Sequence, residues 1–262
     1  MIRDVNKVKR LEFATSMLTQ NEIFADCVFT DESTVEVFTS SKFCYTRLGK
    51  YRARLRARPK HPAKVHIWGG ISMRGTTSLA ILPGHMRINS ATYCRILEKC
   101  YLKFHNTIYH GFARLVHDNA PAHTSVFTKK KLDAWKIKVL DWPPESPDLN
   151  PIELIWGSMK SFLRRHSIRN LHELKLAIRE FWRTLTPQKC KRYVEGIQWR
   201  LQEVVKAEGG NIKEKKPAST SRVDPDLPST SHADPFSPTT SHSPSTSRLD
   251  PSSPDTSRDL SF

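Results

Sequence analysis

The order of strand-forming and helix-forming segments is the feature that most restricts the fold. Four short runs rich in β-branched and aromatic residues come first: CVFT (27–30), TVEVF (34–38), HIWGGIS (66–72) and SLAIL (78–82). Helical patterns then alternate with two further strand-like runs, ARLVH (113–117) and KVLDW (138–142). Strands followed by alternating helices and strands are typical of an α/β domain. We therefore predict a mixed β-sheet flanked by helices.

Three segments are expected along the chain. Residues 1–22 form an N-terminal helix, whose Leu11, Ala14 and Leu18 share one face, and residues 23–207 form the main domain. Residues 208–262 form a tail that becomes rich in Ser, Thr, Pro and Asp and repeats the pattern STSRVDP, STSHADP and STSRLDP. Such a composition buries too little apolar surface to offset chain entropy. We therefore predict that the tail is disordered.

The net charge of the chain indicates the chemical class of its partner. Lys and Arg number 42 against 26 Asp and Glu, so the formal net charge is +16, which favours a polyanionic partner. The N-terminus is charged and no apolar run approaches the length of a membrane span, so we expect neither secretion nor membrane insertion. The five cysteines form no C-x-x-C pair, and neither a disulfide framework nor a cysteine zinc site is indicated.

Three acidic residues are candidates for a metal site. Asp31 follows the first strand-like run, Asp118 follows ARLVH, and Glu153 lies in the first turn of the helix after a Pro-rich loop. Carboxylate oxygens are the ligands that Mg²⁺ prefers, and two ions about 3.5–4 Å apart can assist displacement at phosphorus. The sequence therefore predicts that these acids converge.

Each acid also has a purely structural interpretation. An Asp at the end of a strand is commonly a turn former or a cap. The segment Asn150-Pro151-Ile152-Glu153 fits a capping box, in which Glu153 reaches back to the backbone N–H of Asn150. The residues alone leave both interpretations open.

Three blocks resemble a known family. In this order, FTDEST (29–34), HDNAPAHTS (117–125) and DWPPESPDLNPIELIW (141–156) resemble the DDE transposases of the Tc/mariner superfamily, in particular its Tc-like branch. Thirty-four residues separate Asp118 from Glu153, as in that branch. KVHIWGGIS and KVKRLEFA also resemble the family, so the likeness covers residues 1 to about 205.

The resemblance implies a fold, a chemistry and partners. The fold would be ribonuclease-H-like, with a five-stranded mixed sheet. Asp31, Asp118 and Glu153 would be the catalytic, metal-binding acids, holding two Mg²⁺ ions for which Mn²⁺ can substitute. The reaction would be DNA cleavage at a transposon end and strand transfer into target DNA, in the nucleus. A homodimer is compatible with this function, whereas a small-molecule substrate is not expected.

Further residues of the blocks have roles under the same resemblance. Asn119 and His123 match positions behind the metal ligands or beside the DNA, although a solvent-facing polar turn explains them equally well. Glu145 and Asp148 are expected to be structural, with Asp148 capping its loop.

Two departures from the family qualify the prediction. Family members normally begin with two helix-turn-helix modules, whereas this sequence begins just upstream of the catalytic blocks, and the repeat-bearing tail is an addition. We therefore expect a non-autonomous transposase. The alternative is a domesticated, non-catalytic module that binds DNA or protein.

Basic residues supply candidate DNA contacts. Arg52, Arg54, Arg56 and Arg58 alternate, so an extended backbone would present all four on one side. Lys129 and Lys130 lie in a lysine run on a predicted helix, which also resembles an import signal. Solvated surface is the alternative for both sets.

Overall fold

A computed structural model of the protein describes residues 2–37, 62–166 and 168–212. The arginine row at residues 52–58 and the tail from residue 213 onward lie outside the described residues, so what was predicted for them remains a prediction. All described residues fall within one compact unit, Met1–Lys215.

The sheet is mixed, as predicted, but within the described residues it has six strands where the resemblance implied five. Its strands are β1 (Cys27–Glu36), β2 (Lys64–Ser72), β3 (Gly75–Thr76), β4 (Ala80–Pro83), β5 (Arg114–Val116) and β6 (Lys138–Val139). Their order is β3-β2-β1-β5-β6, and β4 also pairs with β2. β2 is antiparallel to β1, β3 and β4, whereas β5 is parallel to both β1 and β6. β1 therefore occupies the centre of the sheet.

One strand prediction was wrong. The runs 27–30 and 34–38 were expected to be separate strands divided by an acidic turn, but β1 is continuous from Cys27 to Glu36. Its pairing with β2 continues through the acidic residues, with Asp31 opposite Gly69 and Glu32 opposite Trp68. This uninterrupted ladder outweighs the low strand propensity of Asp and Glu. Asp31 consequently lies within the central strand and does not follow it.

Helices surround the sheet. They are α1 (Asp4–Thr19), α2 (Ser90–Ile96), α3 (Leu102–Tyr109), α4 (Pro121–Thr124), α5 (Val126–Ala134), α6 (Ile152–Arg165), α7 (Leu171–Arg183) and α8 (Pro187–Lys206), and a π-helical turn (Leu97–Tyr101) joins α2 to α3. Among the described residues, none of the helices is long and apolar enough to cross a bilayer. Successive side chains of a strand point to opposite faces. On β1, Asp31 contacts α6 and Glu32 contacts α4, so helices lie on both faces.

The buried face of α1 differs from the predicted one. Ala14 is buried as expected, but it shares the buried face with Asn6 and Arg10, while the expected Leu11 and Leu18 are only partly buried. The reason is an ion pair, because both terminal nitrogens of Arg10 donate to the carboxylate of Asp148 at 2.7 Å. Asp148 is therefore structural, as predicted. It acts by pairing with Arg10 of α1 more than by capping its own loop.

Arg10 also connects distant parts of the chain. Its guanidinium donates to three backbone carbonyl oxygens, those of Glu145, Gly209 and Gly210. Gly209 has φ +81°, and a Cβ there would lie 2.0 Å from the backbone oxygen of Lys7, so no side chain is accommodated. The loop before α6 and the segment after α8 are thereby fixed to α1.

Candidate active site

The structure brings two of the three predicted acids together. Asp31 comes from the middle of β1 and Glu153 from the first turn of α6, and their carboxyl groups lie close enough for the charge of Glu153 to raise the pKa of Asp31. Trp156, one turn after Glu153 on the same helix face, donates its indole N–H to Asp31 Oδ2 at 3.1 Å. Two residues of α6 therefore position the carboxyl group of Asp31.

The electrostatics of this pair favour a cation. Burial, followed by the charges of Glu153 and Glu32, raises the pKa of Asp31 to about 8. Burial also raises the pKa of Glu153, against the opposing effect of Lys160. Two carboxylates in contact repel each other, and one keeps a proton when nothing else compensates the charge. A positive charge beside the two groups would favour their ionised forms.

A glycine makes room for this arrangement. Gly69 faces Asp31 across the β1–β2 ladder, and the ring of Trp182 from α7 fills the space above it. A Cβ on Gly69 would lie 2.6 Å from Trp182 Cη2. Trp182 stacks on Trp156, with ring centroids 5.6 Å apart, so α7 supports the indole that holds Asp31.

The predicted capping contact of Glu153 is wrong, because the backbone N–H that it was to satisfy has another acceptor. The backbone N–H of Asn150, which Glu153 was to satisfy, donates instead to the carbonyl oxygen of Pro147. Asn150 Oδ1 accepts from the N–H of Ile152 at 3.4 Å, but the N-cap position of the helix is occupied by Pro151. The carboxyl group of Glu153 is thus available to Asp31.

Helix α7 offers an internal comparison. It begins with the same pair of residue types, Asn170 and Glu173, at the same spacing. There Asn170 Oδ1 accepts from the N–H of Glu173, and the carboxylate of Glu173 reaches back to the N–H of Arg169 and the side-chain amide of Asn170. Glu173 therefore caps its helix, whereas the carboxyl group of Glu153 lies beside Asp31 in the candidate site.

The third predicted acid, Asp118, points to a different partner. It lies just beyond β5 with 61% of its side chain exposed, and its Oδ1 accepts from the N–H of Ala120 at 2.9 Å. The same Oδ1 lies 2.7 Å from Nδ1 of His123. Within residues 2–37, 62–166 and 168–212, no group of three His, Cys, Asp or Glu side chains is arranged to hold a metal ion. The acids form one close pair with Asp118 apart.

His123 is buried between two carboxylates. Its side chain is 4% exposed, so the solvent-facing alternative is wrong for this residue, and Nε2 lies 3.2 Å from Glu32 Oε1. Burial lowers the pKa of His123, but hydrogen bonds to Asp118 and Glu32 outweigh it and raise the pKa to about 10. The hydrogen bond from His123 is likewise the main cause that lowers the pKa of Asp118. Both contacts therefore favour the imidazolium form of His123.

Glu32 was missed by sequence reasoning. It was treated as part of a turn, because the strand was expected to end before it. The signal that could have found it is alternation, since adjacent acids in a continuous strand face opposite sides of the sheet.

The other predicted positions have simpler surroundings. Asn119 is exposed, and its side-chain amide donates to the carbonyl oxygen of Trp142, which fixes the loop. Lys129 and Lys130 are exposed on α5. Lys129 lines a cavity of about 390 Å³ together with Asn119 and His123. A basic side chain thus lies near the loop that carries Asp118.

A mixed sheet that presents paired carboxyl groups from its central strand and a following helix can hold the divalent cations that assist phosphoryl transfer. Residues 26–175, more than half of the chain, match the family of DDE superfamily endonucleases. The chain belongs to this family. The resemblance to Tc/mariner DDE transposases is thereby confirmed at the level of the family.

Individual relatives agree with this assignment. The chain is 28% identical over 211 residues to the transposable element Tc3 transposase of Caenorhabditis elegans, which covers 79% of this chain and 63% of the relative. It therefore spans less than two thirds of that protein. A Mos1 mariner paired end complex with Mn superposes with a TM-score of 0.73 at 18% identity, covering 81% of this chain and 65% of that one.

A structure of the Mos1 catalytic domain alone is matched over nearly its whole length. It superposes with a TM-score of 0.67 at 17% identity, and the match covers 81% of this chain and 98% of that domain. At this level of identity the likeness shows the fold. The predicted ribonuclease-H-like fold is confirmed.

Proposed function

We propose that this chain is a catalytic domain of a Tc/mariner-like transposase that cleaves DNA and transfers a strand in a metal-dependent reaction. The observation that carries the proposal is the contact between Asp31 and Glu153. These residues come from the central strand and a distant helix, and burial together with the charge of Glu153 raises the pKa of Asp31. Family membership supports the same chemistry.

The donor set fits a hard divalent cation. Asp31 and Glu153 offer adjacent carboxyl oxygens, and Asp118 would add a third from the end of the neighbouring strand. We propose Mg²⁺ as the cofactor, with Mn²⁺ as a substitute and two ions in all. Bound there, the ions would activate the attacking oxygen and stabilise the leaving oxygen.

The protein's own residues prepare the site. Trp156 holds one oxygen of Asp31 in place. A proton on either carboxyl group would have to leave before both groups could ligate a cation. His123 holds Oδ1 of Asp118, which leaves Oδ2 for a ligand. Preorganised groups of this kind lower the reorganisation needed during the reaction.

DNA is the proposed substrate and partner. The net charge of +16 favours a polyanion, and Lys129 and Lys130 are exposed on α5 near the site. We also propose contacts by Arg52, Arg54, Arg56 and Arg58, a homodimer in the active complex, and a nuclear location. The similar Mos1 transposase was solved as a paired-end complex with a transposon end, which supports DNA as the partner by analogy.

The decisive experiment is DNA cleavage by the full chain and by Asp31→Asn. The substrate is a supercoiled plasmid together with a pre-nicked duplex, in Mg²⁺ or Mn²⁺. Asp133→Asn is the matched control, because Asp133 is an exposed carboxylate on α5. We expect cleavage by the wild type and the control and none by Asp31→Asn. Equal cleavage by all three proteins would remove Asp31 from the site.

The alternative of a domesticated, non-catalytic module is less well supported. Such a module has no need for two adjacent carboxyl groups in its interior, whereas a metal-dependent nuclease does. A wild-type chain that binds DNA but never cleaves it, with either metal, would favour the alternative.

A further inference from the structure

A relay of three charged side chains crosses from the central strand to Asp118. Glu32 on β1 accepts from Nε2 of His123 at 3.2 Å, and Nδ1 of His123 lies 2.7 Å from Oδ1 of Asp118. Both ring nitrogens therefore face oxygen atoms that can only accept. The imidazole is fixed at both ends, and so is one oxygen of Asp118.

Glu32 and His123 lie on the opposite face of the sheet from the Asp31–Glu153 pair, whereas Asp118 lies just beyond the end of β5. Asp31 and Glu32 are neighbours on β1, so their side chains diverge, Asp31 toward α6 and Glu32 toward α4. The central strand thus supports both parts of the site: it contributes Asp31 directly and contacts Asp118 through His123.

The ring of His123 is also held from its faces. The ring of Tyr93 lies 4.0 Å away between centroids, and the ring of His117 stacks nearly parallel at 5.1 Å. Tyr93 is fully buried, and its hydroxyl bonds Nδ1 of His117 at 2.7 Å. These contacts restrict the imidazole to one orientation. In that orientation one ring nitrogen faces Glu32 and the other faces Asp118, so Glu32 helps to fix the position of Asp118.

We propose that Glu32 is a positioning residue that acts through His123 to hold the carboxylate of Asp118 for cation binding. This inference rests on the proposed function. Among the described residues, hydrogen bonds to the Asp118 side chain converge on Oδ1, so Oδ2 is the oxygen left for a cation. Outer partners that orient ligands in this way typically contribute 10- to 100-fold to metal affinity.

The test is calorimetric titration of the full, metal-free chain with MnCl₂. The variants are Glu32→Ala, which removes the acceptor, and Glu32→Gln, which keeps an oxygen able to accept from Nε2–H. Glu36→Ala is the matched control, because Glu36 lies on the same strand and the same side, four residues from Glu32. We expect Mn²⁺ affinity to fall about 10- to 100-fold in Glu32→Ala. It should recover at least partly in Glu32→Gln and stay unchanged in Glu36→Ala.

A second readout separates positioning from folding. In DNA cleavage, Glu32→Ala should need a higher Mn²⁺ concentration for half-maximal rate, and its rate should recover at saturating Mn²⁺. A variant that is merely less stable loses active protein without changing the half-saturating concentration, and a metal-free thermal melt detects that loss.

The possible failures are distinct. If wild type and Asp31→Asn bind Mn²⁺ equally, the proposed function fails, and this inference with it. If Asp31→Asn loses Mn²⁺ while Glu32→Ala binds it as well as wild type, the function stands and Glu32 has no positioning role. Tighter binding by Glu32→Ala would also overturn the inference, because His123 would then compete with the cation for Asp118.

Discussion

Replacing Glu153 with Gln separates the catalytic from the structural role of this residue. Gln is a good helix former and keeps one carbonyl oxygen and the shape of the side chain. Since Asn150 donates its N–H to Pro147 in the wild type, the change removes no capping bond. It does remove a negative charge from beside Asp31.

The effect on stability follows from the raised pKa of Asp31. The pKa of Asp31 in the unfolded chain is 3.8. Below that pH the carboxyl group is protonated in both the folded and the unfolded state, so its burial lowers stability least there. Between pH 3.8 and about 8 the unfolded chain ionises while the folded one keeps the proton, so stability falls as pH rises, by about 1.4 kcal/mol per pH unit. Glu153→Gln removes one cause of the raised pKa, and its new amide can donate to Asp31. The variant should therefore match wild type at pH 4 and be more stable at pH 8.

Activity should change in the opposite direction. Loss of a charged oxygen ligand beside Mg²⁺ should lower DNA cleavage by orders of magnitude. The control is Glu173→Gln in α7, where the same residue type at the same helix position makes real capping bonds. That control should change stability by less than about 1 kcal/mol and leave cleavage unaltered.

Urea unfolding at pH 4 and pH 8, and cleavage of a pre-nicked duplex with Mn²⁺, are the two measurements. A Glu153→Gln variant that cleaved as fast as wild type would refute the catalytic role. A destabilisation of similar size at both pH values would refute the electrostatic account, because a pH-independent loss is the signature of broken packing or capping.

Three further changes test the surroundings of the site. Asp148→Ala leaves the buried Arg10 unpaired and should destabilise the chain by about 3–5 kcal/mol in urea unfolding; a loss under about 1 kcal/mol would mean that the pair is unimportant. Gly69→Ala should cost about 1–3 kcal/mol and alter tryptophan fluorescence, since Trp182 must move; an unchanged spectrum would contradict the packing. Changing Lys129 and Lys130 to Ala should reduce the salt dependence of DNA binding by about one unit of slope per lost phosphate contact, and an unaltered slope would identify solvated surface.

The sequence predicted the fold class because strand-forming runs and helical patterns alternate along it. It also pointed to Asp31 and Glu153, although only the resemblance singled them out from ordinary turn formers and caps. The contact between these two residues depends on the packing of α6 against β1, which no local pattern encodes. The continuity of β1 was missed for the same reason, since its acidic segment is stabilised by β2 and not by its own propensity.

Polar contacts between distant segments were the hardest to predict. Arg10 occupies a helix position that periodicity assigns to the surface or a partly buried edge. Its burial is made favourable by the carboxylate of Asp148 and by three backbone carbonyl oxygens from distant segments. Glu32 is similar, because its role depends on His123 from a different part of the chain. The resemblance marked His123 but gave it no partner.

The contacts of Arg10 have a practical consequence for recombinant fragments. A fragment cut to the family match at residues 26–175 would lose Arg10 at one end and Gly209 and Gly210 at the other. Asp148 would then face solvent in the loop that leads to Glu153, and that loop would be the first target of a protease. A fragment that begins at residue 23 would lack Arg10. One that stops at residue 207 would lack Gly209 and Gly210, so each would lose part of these contacts. Expression trials, crystallisation and metal titrations should therefore use residues 2–212 at least.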